Sequence, residues 1–300
     1  MDKVLVTGAA GFLGSHVSNF LLDHSFEVVQ SDIQLPASSD GNWTRADLRD
    51  MSELVEATRG VDAICHLGGI GDVYQSERSP ELAMLVNACG TVNLIEAAKR
   101  NSVRRFVYAS TWEVYGDARW QPVDESHPCM PRHPYSISKL AGDLATQHAN
   151  FENSISSVVL RLGTAYGSRM RMTAVIPAYL AMAARGEPIQ VHGAGDQFRQ
   201  FTHVTDIAEA FRLALVAKNP SRVYNVVSPR KVTVLQLAQA IASRYGVGLK
   251  FREPRAHEVA SVQISSHLIE KELGWRASVS FEKGLDELVK ESRRTPALPS

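Results

Sequence analysis

Tyr135 and Lys139 stand four residues apart in Tyr135-Ser136-Ile137-Ser138-Lys139, a spacing that places both side chains on one face of a helix. A free phenol ionises at about pH 10, so it serves as a base near neutrality only where positive charge favours the phenolate. The Lys139 ammonium is such a charge, and the pair reads as a general base, Tyr135, aimed at a substrate hydroxyl. An ordinary surface pair has the same spacing, so the reading needs support from elsewhere in the chain.

That support comes from the N-terminus. Thr7-Gly8-Ala9-Ala10-Gly11-Phe12-Leu13-Gly14 lies between the apolar Val4-Leu5-Val6 and a helical pattern, with glycines every three residues. Gly8 permits a tight turn, Gly11 lets backbone approach a pyrophosphate, and Gly14 allows close helix packing. The amides of the helix N-terminus, at Phe12 and Leu13, face the phosphates. Asp32 follows Gly14 by 18 residues at the end of the next extended run. An acid there accepts the adenosine ribose 2′-hydroxyl and repels a 2′-phosphate, which favours NAD over NADP. Asp47, followed by Leu48, could bring a carboxylate to the adenine amino group, or could form a surface turn. Leu67-Gly68-Gly69 closes a strand in small residues that let backbone run beside the cofactor, and His66 before them reads as a packed histidine. With NAD in place, Lys139 could also hold the nicotinamide ribose, and the cationic ring would add to the field on Tyr135.

These residues need a scaffold, and the hydrophobic periodicity supplies one. Val4–Val6, Glu27–Ser31, Ala63–Leu67, Arg105–Ala109 and Ser157–Leu162 read as strands. Phe12–Asp23, Ser52–Thr58, Leu82–Lys99 and Tyr135–Asn150 read as helices between them. Strands separated by helices imply right-handed βαβ units and a Rossmann-type doubly wound parallel sheet. Beyond it, Ala165–Met172 reads as loop, Ala174–Arg185 as helix and Gly193–Asp196 as turn. Helices are expected over Asp206–Ala217, Leu235–Tyr245 and Phe281–Glu291, with a strand at Val223–Val227. The expected division is an NAD-binding domain over residues 1–163 and 200–228, and a smaller α/β substrate-binding lobe over 164–199 and 229–300.

Composition narrows the partners. The 300 residues carry 32 Lys plus Arg against 32 Asp plus Glu, with no long run of one sign, so neither a nucleic-acid footprint nor a polybasic membrane patch is present. Cys65, Cys89 and Cys129 lack the close pairing of a metal site and read as reduced, buried thiols; no metal is expected. No apolar run reaches the roughly 18 residues of a spanning helix, and no signal peptide is evident, so a cytoplasmic location is expected.

Taken together, the glycine turn, Asp32, His66–Gly69, Asn87-Ala88-Cys89-Gly90-Thr91, Ser110-Thr111-Trp112-Glu113-Val114-Tyr115-Gly116 and Tyr135 with Lys139 resemble the extended short-chain dehydrogenase/reductase family. The resemblance is narrower still to its nucleotide-sugar epimerase/dehydratase branch, and runs from Val4 to about Glu291. It implies bound NAD, with Asn87 among the residues at the cofactor. It also implies a nucleotide-sugar substrate in the C-terminal lobe, and a homodimer packed through the helices near 82–100 and 135–150. Thr111 matches the hydroxyl that bonds the reacting sugar and relays its proton to Tyr135. Arg199 and Arg255 match diphosphate-binding arginines, whose fork of donors suits phosphate oxygens.

Departures from the family pattern bear on the reaction. Where 4,6-dehydratases carry Asp-Glu after the threonine, this chain has Trp112-Glu113, and an indole cannot act as a general acid. Glu113 also matches a glutamate of UDP-glucuronate decarboxylases, or is a structural residue bonded near Tyr115. Thr164 replaces a substrate-contacting asparagine, and His257-Glu258 replaces Gly-Asp. The expected activity is C4 epimerisation of a nucleotide-activated sugar, a UDP-hexose or UDP-uronate, through a transient 4-keto intermediate. The catalytic set is Tyr135, Lys139, Thr111 and Glu113, and Thr111, Thr164, Arg199 and Arg255 contact substrate. The alternatives are a decarboxylase, dehydratase or ketoreductase on the same scaffold, or a non-catalytic NAD-sensing protein.

Overall fold

The computed structural model describes residues 3–37, 42–151, 155–254 and 261–294. The first part of the chain runs β1 (Lys3–Thr7), α1 (Phe12–Asp23), β2 (Glu27–Asp32), β3 (Trp43–Arg45), α2 (Met51–Ala57), β4 (Ala63–His66), α3 (Val73–Arg78) and α4 (Pro80–Ala83). A π-helical stretch, Met84–Cys89, leads into α5 (Gly90–Arg100), then β5 (Arg105–Thr111), a 3-10 turn at Trp112–Tyr115, α6 (Pro134–Phe151) and β6 (Ser156–Leu162). The remainder comprises β7 (Thr164–Tyr166), α7 (Val175–Ala184), β8 (Ile189–His192), β9 (Phe198–Arg199), β10 (Phe201–His203), α8 (Val204–Val216) and β11 (Val223–Val226). It ends with β12 (Val232–Thr233), α9 (Val234–Tyr245), β13 (Leu249–Arg252), α10 (His267–Leu273) and α11 (Phe281–Arg294).

Seven strands form one sheet in the order β11-β6-β5-β4-β1-β2-β3, all pairs parallel. Alternation along each strand feeds two cores. Val4, Val6, Val107 and Ala109 face α1 and α8, whereas Leu5, Phe106 and Tyr108 face the layer of α2, α5 and α6. The strand order reverses between β1 and β4, so the crevice beyond their carboxyl ends lies beside Gly8 and His66, where this fold class binds its ligands.

A third core gathers Tyr166, Ile176, Leu180, Val191, Leu237, Ile241, Phe281 and Leu285 from α7, α9, α11 and the short strands. Asp206 anchors this part to the sheet. Its carboxylate accepts from Ser278 N–H, Ser278 Oγ and Val279 N–H, and its carbonyl accepts Trp275 Nε1–H at 2.8 Å.

Three local expectations are corrected, and one further strand pair is added. The segment expected to be loop from Ala165 begins inside β7, which pairs with β10, a non-local partner that periodicity cannot reveal. The pair β8 and β13 likewise joins Ile189–His192 to Leu249–Arg252. The single helix expected over 82–99 is instead interrupted by the π stretch that carries Asn87. Of the cysteines only Cys65 is buried; Cys89 is exposed and Cys129 partly so, because both lie outside the sheet.

Candidate active site

The dinucleotide turn is shaped by contacts that exclude side chains. Gly8 has φ +69°, and a Cβ there would lie 2.7 Å from Gly68 N; a Cβ on Gly14 would lie 2.0 Å from Gly8 O. The turn and α1 can therefore lie against β4 only with glycine at both positions. Gly11 caps α1 without a side-chain bond, and the first turn holds no acid, so the positive end of the helix dipole is left uncompensated at the glycine turn. At the end of β2, the Asp32 carboxylate accepts Ala10 N–H at 3.0 Å and Gln34 N–H at 3.3 Å. It braces the turn and has acceptor capacity left for a ribose hydroxyl. This donor and acceptor set fits NAD. Asp47 is differently engaged: its carboxylate grips the Arg49 guanidinium through Nε at 2.9 Å and Nη2 at 2.5 Å, which holds it below the ordinary carboxylate range. Leu48 is buried against Gly90.

His66 is fully buried in a fixed relay. Thr91 Oγ1 donates to Asn87 O at 2.6 Å, so it accepts His66 Nε2–H at 3.0 Å; Nδ1 then accepts from Thr7 Oγ1 at 2.7 Å, and Thr7 accepts Gly68 N–H at 3.1 Å. Burial and the Lys139 charge push this imidazole down to about 3, so it is neutral and structural. Asn87 accepts Ile70 N–H at 2.7 Å and donates to Ile70 O at 3.0 Å and Ser138 Oγ at 2.9 Å, tying the loop after Leu67-Gly68-Gly69 to α6.

Thr111 ends β5, and Tyr135 opens α6 within reach of its hydroxyl. Burial, then the Glu113 charge, raise the Tyr135 phenol above its ordinary value, while Thr111 and Arg171 act in the opposite sense. Lys139, one helical turn on, is 7% exposed, and its ammonium lies 4.2 Å over the Tyr108 ring. Burial pushes Lys139 down to about 7, with Asp143 opposing. The expectation that Lys139 together with a cationic nicotinamide favours the phenolate meets an opposing effect in the protein: burial disfavours the charged form of both Tyr135 and Lys139, and Glu113 adds to it at the phenol.

Three groups here were not anticipated. His133 Nε2 lies 2.9 Å from Glu113 Oε2, its ring stacks parallel to Tyr135 at 6.0 Å, and its Nδ1 accepts Ser136 N–H at 3.3 Å. Glu113 thus pairs with His133 and not near Tyr115, whose hydroxyl donates to Asn225 Oδ1 at 2.7 Å. Asp143, a second helical step beyond Lys139, accepts from Arg161 Nε and Ser110 Oγ, both at 2.9 Å, in a fully buried network under the site. Arg171 crosses from the loop after β7 to Gly71 O at 3.2 Å and Asp72 Oδ2 at 2.9 Å. The continued four-residue spacing of Tyr135, Lys139 and Asp143 was a visible signal for Asp143. His133 and Arg171 had none, since their partners are far away in sequence.

Trp112, Gly163, Thr164 and Arg199 line one cavity with Val227 and Ile264. Arg199 donates from Nη1 to Phe198 O at 2.7 Å, while Gln200 behind it is buried and bonded to Ser228 and Ile264. The structure thus brings Thr164 and Arg199 together beside Trp112. Arg255 and His257-Glu258 lie outside the described residues. Among the described residues no group of His, Cys, Asp or Glu is placed to hold a metal ion, and no helix is long and apolar enough to cross a membrane.

Comparison with known proteins agrees with this geometry. The chain is 28% identical over 311 residues to a putative UDP-glucose 4-epimerase of Methanocaldococcus jannaschii, covering 97% of this chain and 100% of that one. It is 30% identical over 307 residues to a dTDP-glucose 4,6-dehydratase of Streptomyces niveus, covering 96% and 91%. The solved structure of MoeE5 in complex with UDP-glucuronic acid and NAD superposes with a TM-score of 0.89 at 30% identity, covering 97% and 99%. The profile of the NAD dependent epimerase/dehydratase family matches residues 4–227, and the chain belongs to this NAD-dependent branch of the extended short-chain dehydrogenases.

Proposed function

We propose that the protein inverts C4 of a UDP-activated sugar. The observation that carries this reading is the Thr111–Tyr135–Lys139 constellation at the carboxyl end of β5, with Trp112 in the place of a general acid. Residues 1–163 and 200–228 hold NAD, through Gly8, Gly11, Phe12, Leu13, Gly14 and Asp32, the loop Leu67–Gly69 pinned by Asn87, and Lys139 on the nicotinamide ribose. Residues 164–199 and 229–300 hold the nucleotide-sugar, with Thr164 at the sugar and Arg199 at the diphosphate. NAD supplies a hydride acceptor that later serves as donor.

Tyr135 takes the C4 hydroxyl proton through or beside Thr111 as the C4 ketone forms, and returns it once the sugar has presented its other face. Burial and Glu113 both favour the protonated phenol in the protein alone, and Tyr135 would lose its proton more readily beside a bound positive nicotinamide. MoeE5, 30% identical to this chain, is solved with UDP-glucuronic acid, which makes a UDP-hexuronate the first substrate to test.

A homodimer also belongs to this reading. Met84, Leu85 and Val92 on the π stretch and α5, and Ile137 and Leu144 on α6, are exposed large apolar side chains on neighbouring helices.

The test is incubation with UDP-glucose and, separately, UDP-glucuronic acid, without added nicotinamide, followed by proton NMR. Appearance of the galacto-configured sugar with no lasting absorbance at the NADH band is expected. Accumulation of a 4-keto-6-deoxy sugar, or release of carbon dioxide, would overturn the epimerase reading in favour of a dehydratase or decarboxylase.

A further inference from the structure

A ketone at C4 acidifies the C–H bonds on the neighbouring carbons, so any carboxylate beside the reacting tyrosine is a potential base toward the intermediate. Glu113 is such a carboxylate: it lies two residues beyond Thr111, its N–H donates to Thr111 Oγ1 at 3.3 Å, and it is a quarter exposed, so a proton it took would exchange with water. Left unrestrained, it would scramble or eliminate at the adjacent carbon. In this protein Glu113 Oε2 is held 2.9 Å from His133 Nε2. The histidine is itself oriented twice over: Nδ1 accepts Ser136 N–H, which puts the proton of the neutral ring on Nε2 facing Glu113, and the ring lies parallel to that of Tyr135. This bond fixes the direction of the carboxylate and lowers its basicity toward a carbon-bound proton.

We infer that His133 is a fate-determining positioning residue: by holding Glu113 through Nε2–H it keeps the carboxylate from abstracting the proton on the carbon next to C4, and so confines the enzyme to C4 inversion. The restrained step is a defined one. A Glu113 oxygen would take the proton from C5, the C–H electron pair would move into the C4–C5 bond, and the carbonyl pair would pass to the C4 oxygen beside Tyr135. Return of a solvent-derived proton from Glu113 to C5 would restore the ketone. No oxidant beyond the reaction's own is consumed.

This inference rests on the C4 reading, and deuterium separates the two. Wild-type enzyme, H133A, H133Q and H133A/E113Q are given UDP-glucuronic acid in D2O, and deuterium at C5 is counted per C4 inversion by NMR. Wild type is expected to incorporate far less than one deuterium per inversion. H133A should incorporate about tenfold more, the effect of losing one hydrogen bond to a charged group. H133Q, which keeps an N–H donor, should stay near wild type, and the double variant should fall to the wild-type level or below it. Equal incorporation in wild type and H133A, none in either included, overturns the inference, as does incorporation that survives in the double variant. Should H133A fail to fold, incorporation near once per inversion in wild type, or a wild-type level not lowered by E113Q alone, overturns it equally. Absence of C4 inversion in wild type, with this sugar and with UDP-glucose, overturns the C4 reading itself.

Discussion

Replacing Lys139 by Met should make the cofactor-free protein more stable, and by an amount that shrinks as pH rises. Lys139 is 7% exposed, and burial brings its ammonium from an ordinary 10.5 down to about 7. That difference corresponds to about 5 kcal/mol of destabilisation while the lysine is charged in both states, below about pH 7. Between about 7 and 10.5 the unfolded chain binds the extra proton, so stability rises with pH at about 1.4 kcal/mol per unit. Methionine fills similar volume without a charge, forfeiting the cation–ring contact over Tyr108, worth about 1 kcal/mol only while Lys139 is charged. The stabilisation of K139M over wild type should therefore fall by about 3 kcal/mol between pH 6.5 and 9.5. Urea denaturation of both proteins across that range measures the difference, and groups that titrate alike in both cancel. Parallel stability curves would refute the reasoning, since they would mean that Lys139 is as well solvated in the fold as in the unfolded chain. K139M should also lose turnover, so that the gain in stability comes at the expense of the site.

Asp143→Asn should cost about 3–5 kcal/mol, because Arg161, 4% exposed, would be left as a buried charge without its counter-ion; the urea midpoint reports it. Gly14→Ala should abolish retention of NAD through purification, read by mass spectrometry of released small molecules, because the new Cβ would meet Gly8 O at 2.0 Å and push α1 off the turn. Tyr135→Phe should keep NAD yet lose C4 inversion, which NMR on UDP-glucuronic acid and mass spectrometry together would show; inversion at the wild-type rate would remove Tyr135 from the chemistry. Leu144→Glu places a charge on the exposed α6 face and should convert a dimer to a monomer in sedimentation equilibrium; a monomeric wild type would remove the homodimer from the proposal.

Much of the site was legible because its chemistry is local. The turn from Gly8 to Gly14 is contiguous, and the conformation its glycines permit is a property of the backbone alone. Tyr135 and Lys139 share a helix, where spacing fixes the face. The parallel sheet was legible for the same reason, since strands such as Arg105–Thr111, buried along their whole length, carry near-continuous apolar runs. The second lobe was less so: β7, β9 and β10 are two or three residues long and owe their existence to partners up to 37 residues away, as in Phe201 beside Thr164.

The sequence by itself determined the layered α/β scaffold, the glycine turn and the shared helical face of Tyr135 and Lys139, because each follows from short-range geometry and the period of the hydrophobic pattern. The tertiary structure alone decided the surroundings of that pair. Whether Lys139 assists Tyr135 by its charge depends on how much water each has lost and on what stands opposite, namely Asp143 from the same helix, Glu113 from the turn after β5 and Arg171 from the far lobe. It also decided that Glu113 answers to His133, 20 residues further along the chain, since a side-chain contact across a loop is set by where the backbone returns and not by spacing.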